Sequence, residues 1–285
     1  MKAVCYMMGL LGATVSSGAG MANDNIVVSS GLSDAFETVQ GGLDLLIPGM
    51  LRRHAFQLRL GAGFGITPDY RGSDDYRLKV LPLIDLRYKD RLHLSYNRLS
   101  YSVVREGYWS VGPFVKYKAG RTEKRNAALA GLGDIAPTAE VGVFAKYKSK
   151  RALMDVEFRQ ALGHGRGASV RFMAGHALFK KGDFAVAAII EGKWRSKAEM
   201  QTYFGVTEEQ AARSESGLLA FMPSAGVSEV SINILGRYQV SDRHRLLALI
   251  GYGHMLGDAA YSPVVSGGMG RRQQVIAGVG FTIDF

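Results

Sequence analysis

The sequence predicts an all-β fold, an antiparallel transmembrane β-barrel of about twelve strands, with ten as the alternative count. Three observations point to it. Apolar residues recur with period 2 along most of the chain. The connections between the alternating stretches are short and long by turns, with short turns predicted on the periplasmic side and long loops outside the cell. None of the 285 residues falls in an apolar run of 18 or more, so an ordinary transmembrane helix is excluded.

A leader comes first. Lys2 supplies a positive start, Ala3 to Val15 is apolar, and a run of small residues ends in the cleavage site Gly20-Met21-Ala22. Residues 1–22 therefore read as a secretory signal peptide and 23–285 as a single outer-membrane barrel domain. The predicted strands follow at 36–47, 54–67, 76–88, 91–104, 108–118, 138–148, 150–160, 168–180, 184–195, 227–240, 245–256 and 271–285. In 184–195, Phe184, Val186, Ala188, Ile190 and Trp194 share one face, while Glu191, Lys193 and Arg195 take the other. In 150–160, Met154, Val156 and Phe158 oppose Asp155, Glu157 and Arg159. Segment 36–47 alternates least. In 91–104 the phase changes after Tyr96, which reads as a bulge near Asn97. Pro82 and Pro113 fall inside strands, against the usual preference.

The turns Lys148-Ser149-Lys150, Lys181-Gly182-Asp183 and Ser241 to His244 are tight, whereas 119–137, 161–167, 196–226 and 257–270 are long. Twelve strands place both termini in the periplasm and, by the same parity, place Pro68 to Asp75 there too. A soluble sandwich or lipocalin-like barrel is the alternative, but its inward face would need large aliphatics throughout. Here the polar faces are rich in Gly and ionisable residues. Tyr and Trp recur at strand ends (Tyr76, Tyr88, Tyr117, Tyr147, Trp194, Tyr238, Tyr252), as an interfacial girdle requires. Gly280, Ile283 and Phe285, on an alternating last strand, resemble the signal read by the barrel assembly machinery.

Composition narrows the chemistry. One Cys excludes a disulfide scaffold and a Cys-based structural zinc site. A formal net charge of +10 suits lipopolysaccharide phosphates met by Arg121, Lys124, Arg125, Arg166, Arg271 and Arg272 in or beside the outer loops. An exported barrel has no nucleic-acid role. Gly61-Ala62-Gly63-Phe64-Gly65 is not followed by a helix, so strand packing explains it better than phosphate binding. The six His show no metal-ligand spacing, and no cofactor is expected. His93 and Ser95 share a strand face and faintly resemble the His-x-Ser pair of outer-membrane lipid A deacylases, but that pair must face lipid and this phase points inward. Asp155, Glu157, Arg159, Glu191, Lys193 and Arg195 read as a lumenal charge network that fills the interior or tunes passage. Thr207 with Gln210 is a capping box, so a short helix is predicted inside the 196–226 loop.

Four stretches resemble the MltA-interacting protein (MipA)/OmpV family of outer-membrane proteins: Gly63 to Tyr76, containing Pro68-Asp69-Tyr70-Arg71-Gly72-Ser73-Asp74-Asp75; Gly112-Pro113-Phe114 through Gly120-Arg121; Tyr203 to Ser214; and Leu256 to Val264, with Asp258. The resemblance implies a non-enzymatic barrel in outer-membrane lipid and lipopolysaccharide. It further implies a scaffold linking a lytic transglycosylase to a penicillin-binding protein, with no catalytic residues to carry over. Residues of functional interest within the stretches are Pro68, Asp69, Tyr70, Gly72, Ser73, Asp74, Asp75, Gly120, Arg121 and Asp258. Two other readings stay open from the residues: a passive or ligand-selective pore, and surface recognition or adhesion through the long loops.

Overall fold

The computed structural model describes residues 30–46, 55–163 and 165–285. The expected leader lies outside the described residues, as do His54 and His164. The strands are β1 (Phe56–Pro68), β2 (Tyr76–Tyr88), β3 (Leu92–Ser95), β4 (Arg98–Tyr101), β5 (Val104–Glu106), β6 (Trp109–Lys118), β7 (Thr138–Lys148), β8 (Ala152–Ala161), β9 (Ala168–Lys181), β10 (Phe184–Arg195), β11 (Gly226–Gln239), β12 (His244–Met255) and β13 (Gln273–Asp284). The ladders are antiparallel, and β1 pairs with β13 from Arg59↔Asp284 to Ile66↔Ala277, closing the sheet on itself. β4 and β5 both lie along β6, β4 against its later half (Arg98↔Lys116) and β5 against its start (Glu106↔Trp109). They form one stave broken at Ser102 and Val103, so the wall is a closed barrel of twelve staves.

Alternation decides which way each stave faces. Leu78, Phe64, Ile250 and Ile190 point outward and stay exposed, as a lipid-facing band must. Tyr76, Tyr117, Trp194 and Tyr252 ring one end of that band, and Tyr88, Trp109 and Tyr238 ring the other. Inward positions are buried and mix charged and small residues with a belt of large apolar ones, Leu83, Leu153, Ile189, Leu235 and Leu247 among them. Among the described residues no helix is long and apolar enough to cross a membrane; strands do the crossing.

The expected count of twelve is right through two offsetting departures. Residues 36–46 of the predicted first strand are not a strand but most of helix α1 (Ser30–Leu46), and residue 47 lies outside the described residues. Val39, Leu43 and Leu46 recur at helical spacing, and they dock with Leu45 against Leu83, Leu153, Ile189, Leu235 and Leu247 of the wall. The second departure is at 91–104. β3 and β4 form a hairpin with Ser95↔Arg98 flanking the two-residue turn Tyr96-Asn97, and Tyr96 has φ 49°. A turn this tight needs positive φ, and the phase change attributed to a bulge is the trace of that turn.

These corrections reverse the placement of Pro68 to Asp75. With the false first strand removed, β1 rises from the short-turn end, and the 68–75 connection emerges among the long loops, where Ser73 bridges Gly270. The periplasmic placement is therefore wrong. The glycine run 61–65 is strand throughout, paired with β2 and β13 on its two edges.

α1 lies inside the barrel. Thr38, which hydrogen-bonds Glu191, sits in the long-loop half, and Asp44 sits at the short-turn end beside Lys146 and Lys148. Close seating requires glycine here: a Cβ on Gly42 would stand 2.4 Å from Leu235 Cδ2, and one on Gly41 2.7 Å from Met173 Sδ. Among the described residues the long loops carry four short α-helices, α2 (Lys197–Phe204), α3 (Glu208–Arg213), α4 (Gly257–Tyr261) and α5 (Pro263–Ser266), and two 3-10 turns, Glu123–Arg125 and Ala127–Leu129. The capping box predicted for α3 is present, with Thr207 Oγ1 accepting from Gln210 N and Gln210 Oε1 accepting from Thr207 N.

Candidate functional site

The lumen holds the network expected from Asp155, Glu157, Arg159, Glu191, Lys193 and Arg195, all of which point inward, together with a partner that the strand pattern concealed. Arg159 bridges Glu157 and Glu37 of α1, the latter at 2.7 Å. Glu37 also pairs with Lys116 and lies 3.6 Å from Arg171. Seven residues on, Asp44 meets Arg87 at 2.6 Å, Lys146 at 3.5 Å and Lys148 at 3.9 Å. Gln40 hydrogen-bonds Asp85. Glu191 binds Arg171 at 2.8 Å, and Asp155 meets Lys146 at 3.3 Å. Charges buried this deeply survive only when paired, because an unmatched ion would carry a desolvation cost of several kcal/mol. The helix thus neutralises part of a strongly basic wall while its apolar stripe fills the space beside it.

His93 Nε2 lies 3.0 Å from Asp85 Oδ1, and Ser95 is buried in the wall. Both face inward, as the phase predicts. A pair acting on lipid would have to face the bilayer.

The family-type residues gather at the other candidate region, a cap over the long-loop mouth. Asp69 is fully enclosed and receives Arg125 Nε at 2.7 Å and Arg77 Nε at 2.9 Å. Pro68 offers its carbonyl to Lys79 Nζ. Tyr70 packs with Leu129, Leu132, Val206, Leu218 and Val264, and its hydroxyl lies 3.2 Å from the Val264 carbonyl and 3.3 Å from that of Met269. Burial pushes its phenol up to about 12. Gly72 has φ 93°, and a Cβ there would stand 2.4 Å from Val265 Cγ2, so this turn accepts only glycine without strain. Ser73 is fully buried, Asp75 receives Asn126 Nδ2 at 2.8 Å, and Asp74 is exposed.

Gly120 leads into Arg121, which exchanges backbone hydrogen bonds with Ile135; burial lowers the Arg121 guanidinium from its ordinary range. Asp258 accepts from Ser224 N at 2.7 Å. A second apolar cluster joins Met200, Tyr203, Phe204, Met255, Ala259 and Val265. Beneath it, Glu199 is buried between Lys118 and Arg195. Burial would raise its carboxyl, but Arg195 and Lys118 outweigh that and hold it down to about 2.

The cap therefore brings together most of the residues singled out in the sequence, as structural hubs. Gly280, Ile283 and Phe285 stand apart in the closing strand: Gly280 faces Gly63, Ile283 faces Leu60, and Phe285 N donates to Leu58 O at 2.8 Å. Sequence reasoning missed Glu37, Asp44 and Glu199. For the first two the available signal was the seven-residue spacing of the carboxylates beside an apolar stripe of helical period. Among the described residues no three His, Cys, Asp or Glu side chains stand close enough to hold a metal ion.

Between α1 and the cap is a cavity of about 130 Å³, lined by Thr38, Arg71, Lys193, Glu229, Asn233 and His254 among others. Arg71 pairs with Glu229 across it, and burial lowers the Arg71 guanidinium.

Comparison with known proteins bears on fold and family. The family described as MltA-interacting protein MipA matches residues 60–285. A comparison with curated proteins found no match. Among solved structures, a bacterial polysaccharide outer membrane secretin aligns at 12% identity and TM-score 0.44, over 81% of this chain and 98% of that one. An outer membrane channel from Pseudomonas putida F1 aligns at 10% and 0.40, over 84% and 100%. The NanC porin aligns at 8% and 0.39, over 80% and 99%. The twelve-stave barrel with its apolar outer band is a protein of the bacterial outer membrane.

Proposed function

Because the chain belongs to the MltA-interacting protein (MipA) family, we propose that it is a non-enzymatic outer-membrane anchor coupling a murein hydrolase to a murein synthase, namely a lytic transglycosylase and a penicillin-binding protein. The observation that supports an anchor over a passive pore is the filled lumen. α1 occupies the passage with its carboxylates paired to the wall, and the cap packs over the outer mouth. A body closed at two levels suits a fixed attachment point better than a conduit.

The surface available to periplasmic partners is the short-turn rim. It carries Lys89, Arg91, Lys150, Arg151, Lys181 and Arg243 at or beside its turns against Asp90, Asp183 and Asp242, a net basic rim suited to an acidic partner face. Residues 68–75, at the opposite end, are not part of that contact.

The test is a pull-down on solubilised envelope with the detergent-extracted barrel, using an unrelated barrel as control. Enrichment of a lytic transglycosylase and a penicillin-binding protein, lost when the six rim cations are neutralised, is the expected result. Absence of both enzymes, with the barrel shown folded by heat-dependent gel mobility, would overturn the proposal. Planar-bilayer recording of the same preparation should show no steady conductance.

A further inference from the structure

Two clusters of cations in the lumen are each built around one carboxylate of α1. Lys116, Arg159 and Arg171 surround Glu37, and Arg87, Lys146 and Lys148 surround Asp44. Both carboxylates are buried. Seven helical residues separate them, a rise of about 10 Å. Between them the helix presents Val39 and Leu43, which pack against Leu83, Leu153, Ile189, Leu235 and Leu247. The wall therefore reads as a complementary mould: cations, an apolar belt, then cations. Wall carboxylates share these cations, Glu157 with Arg159, Glu191 with Arg171, Asp155 with Lys146 and Asp85 with Arg87, so each cluster holds its α1 carboxylate in addition to its wall partners.

The helix is a separate segment laid into this mould, and it makes no strand ladder with the wall. It seats through side chains, and Gly41 and Gly42 allow the close approach. The space it fills is that of an α-helix, about 10 Å across, which is wide enough for a slender solute. The lower cluster lies at the short-turn mouth, and the cap closes the other end, so a solute would enter from the short-turn side.

We propose that the lumen is a binding site for an elongated dianion with an apolar middle, and that α1 occupies this site at rest as an internal ligand. Glu37 and Asp44 stand in for the two negative ends of that ligand, and Val39 and Leu43 stand in for its centre. The inference does not depend on the reading of murein-enzyme partners.

The experiment is titration calorimetry on a barrel lacking residues 30–46, in non-ionic detergent with a protein-free micelle blank. The probes are decanedioate, whose extended chain sets its carboxylates near the required spacing, and butanedioate and decanoate as controls. Decanedioate should bind the helix-less barrel about tenfold or more tightly than either control. It should bind the intact barrel about tenfold or more weakly than the helix-less one. Replacing Lys116 and Lys146 by Gln should remove the preference over decanoate.

Absence of decanedioate binding to a folded helix-less barrel would overturn the proposal. So would equal binding of butanedioate, which would mean charge alone, or of decanoate, which would mean burial alone. If deletion prevents folding, the full chain with Glu37→Gln and Asp44→Asn replaces it, since loss of both charges loosens the internal ligand. Decanedioate binding to that variant supports the site, and its absence overturns it.

Discussion

Replacing Gly42 by Leu sets local helix preference against seating in the barrel. In an isolated helix Leu is favoured over Gly by roughly 0.7 kcal/mol. The seat reverses that preference. A Cβ at this position already stands 2.4 Å from Leu235 Cδ2 and 3.1 Å from Ile189 Cδ1. Both neighbours are 0% exposed, and only Leu235 borders a void, of about 70 Å³, so the site can yield in part but not freely. Forcing a larger side chain into a packed site costs roughly 1–3 kcal/mol. Docking of α1 should therefore weaken by roughly 1–2 kcal/mol, a factor of about 5–30 in its opening equilibrium. Hydrogen exchange read by mass spectrometry over residues 37–46 measures that opening directly. Faster exchange in α1, with the wall strands unchanged, is the expected outcome. Unchanged or slower exchange would mean that helix preference governs this segment and that the helix is not seated against Leu235.

Three further predictions concern the cap. Tyr70→Phe removes the hydroxyl shared by the Val264 and Met269 carbonyls and should loosen the cap by about 1–2 kcal/mol, seen as faster tryptic cleavage after Arg213 and Arg271. Gly72→Ala adds the steric cost of positive φ, about 1–2 kcal/mol, to a clash with Val265. Gly107→Ala, at φ 55° with open space around it, should show only the first cost, so equal destabilisation by the two substitutions would remove the packing argument. Glu199 has a folded-state pKa of about 2, below its ordinary 4.5. Its contribution is therefore fully present above 4.5 and is lost as pH falls toward 2, on the order of 3 kcal/mol in total. Tyrosine fluorescence of the cap should change across that window, and Glu199→Gln should be flat there; a transition that persists in the variant would assign the acid sensitivity to another group.

The division between what was legible in the chain and what was not follows from interaction range. Strand identity, the inward and outward faces, the aromatic ends and the α3 capping box are local. Each rests on a period of 2 or a contact three residues apart, so Phe184 to Arg195 or Thr207 with Gln210 declare themselves without neighbours. That the sheet must close was readable in outline, because an alternating sheet in lipid cannot leave an edge unpaired, but the sequence made 36–47 the first strand, and only the structure closes β1 on β13. The sequence left two things to the tertiary structure. Segment 36–47 mixes small, polar and apolar residues so evenly that its period is ambiguous, and only a basic, partly apolar lumen selects helix. Pro68 to Asp75 sits at a position fixed by counting strands, so one error of parity moved it across the membrane, and its packing against loops some 60 to 200 residues away decides the matter. The residues Asp69, Tyr70, Gly72 and Ser73 were recognisable as a group, but the reason they belong together, one cap assembled from four loops, exists only after the barrel brings those loops to the same end.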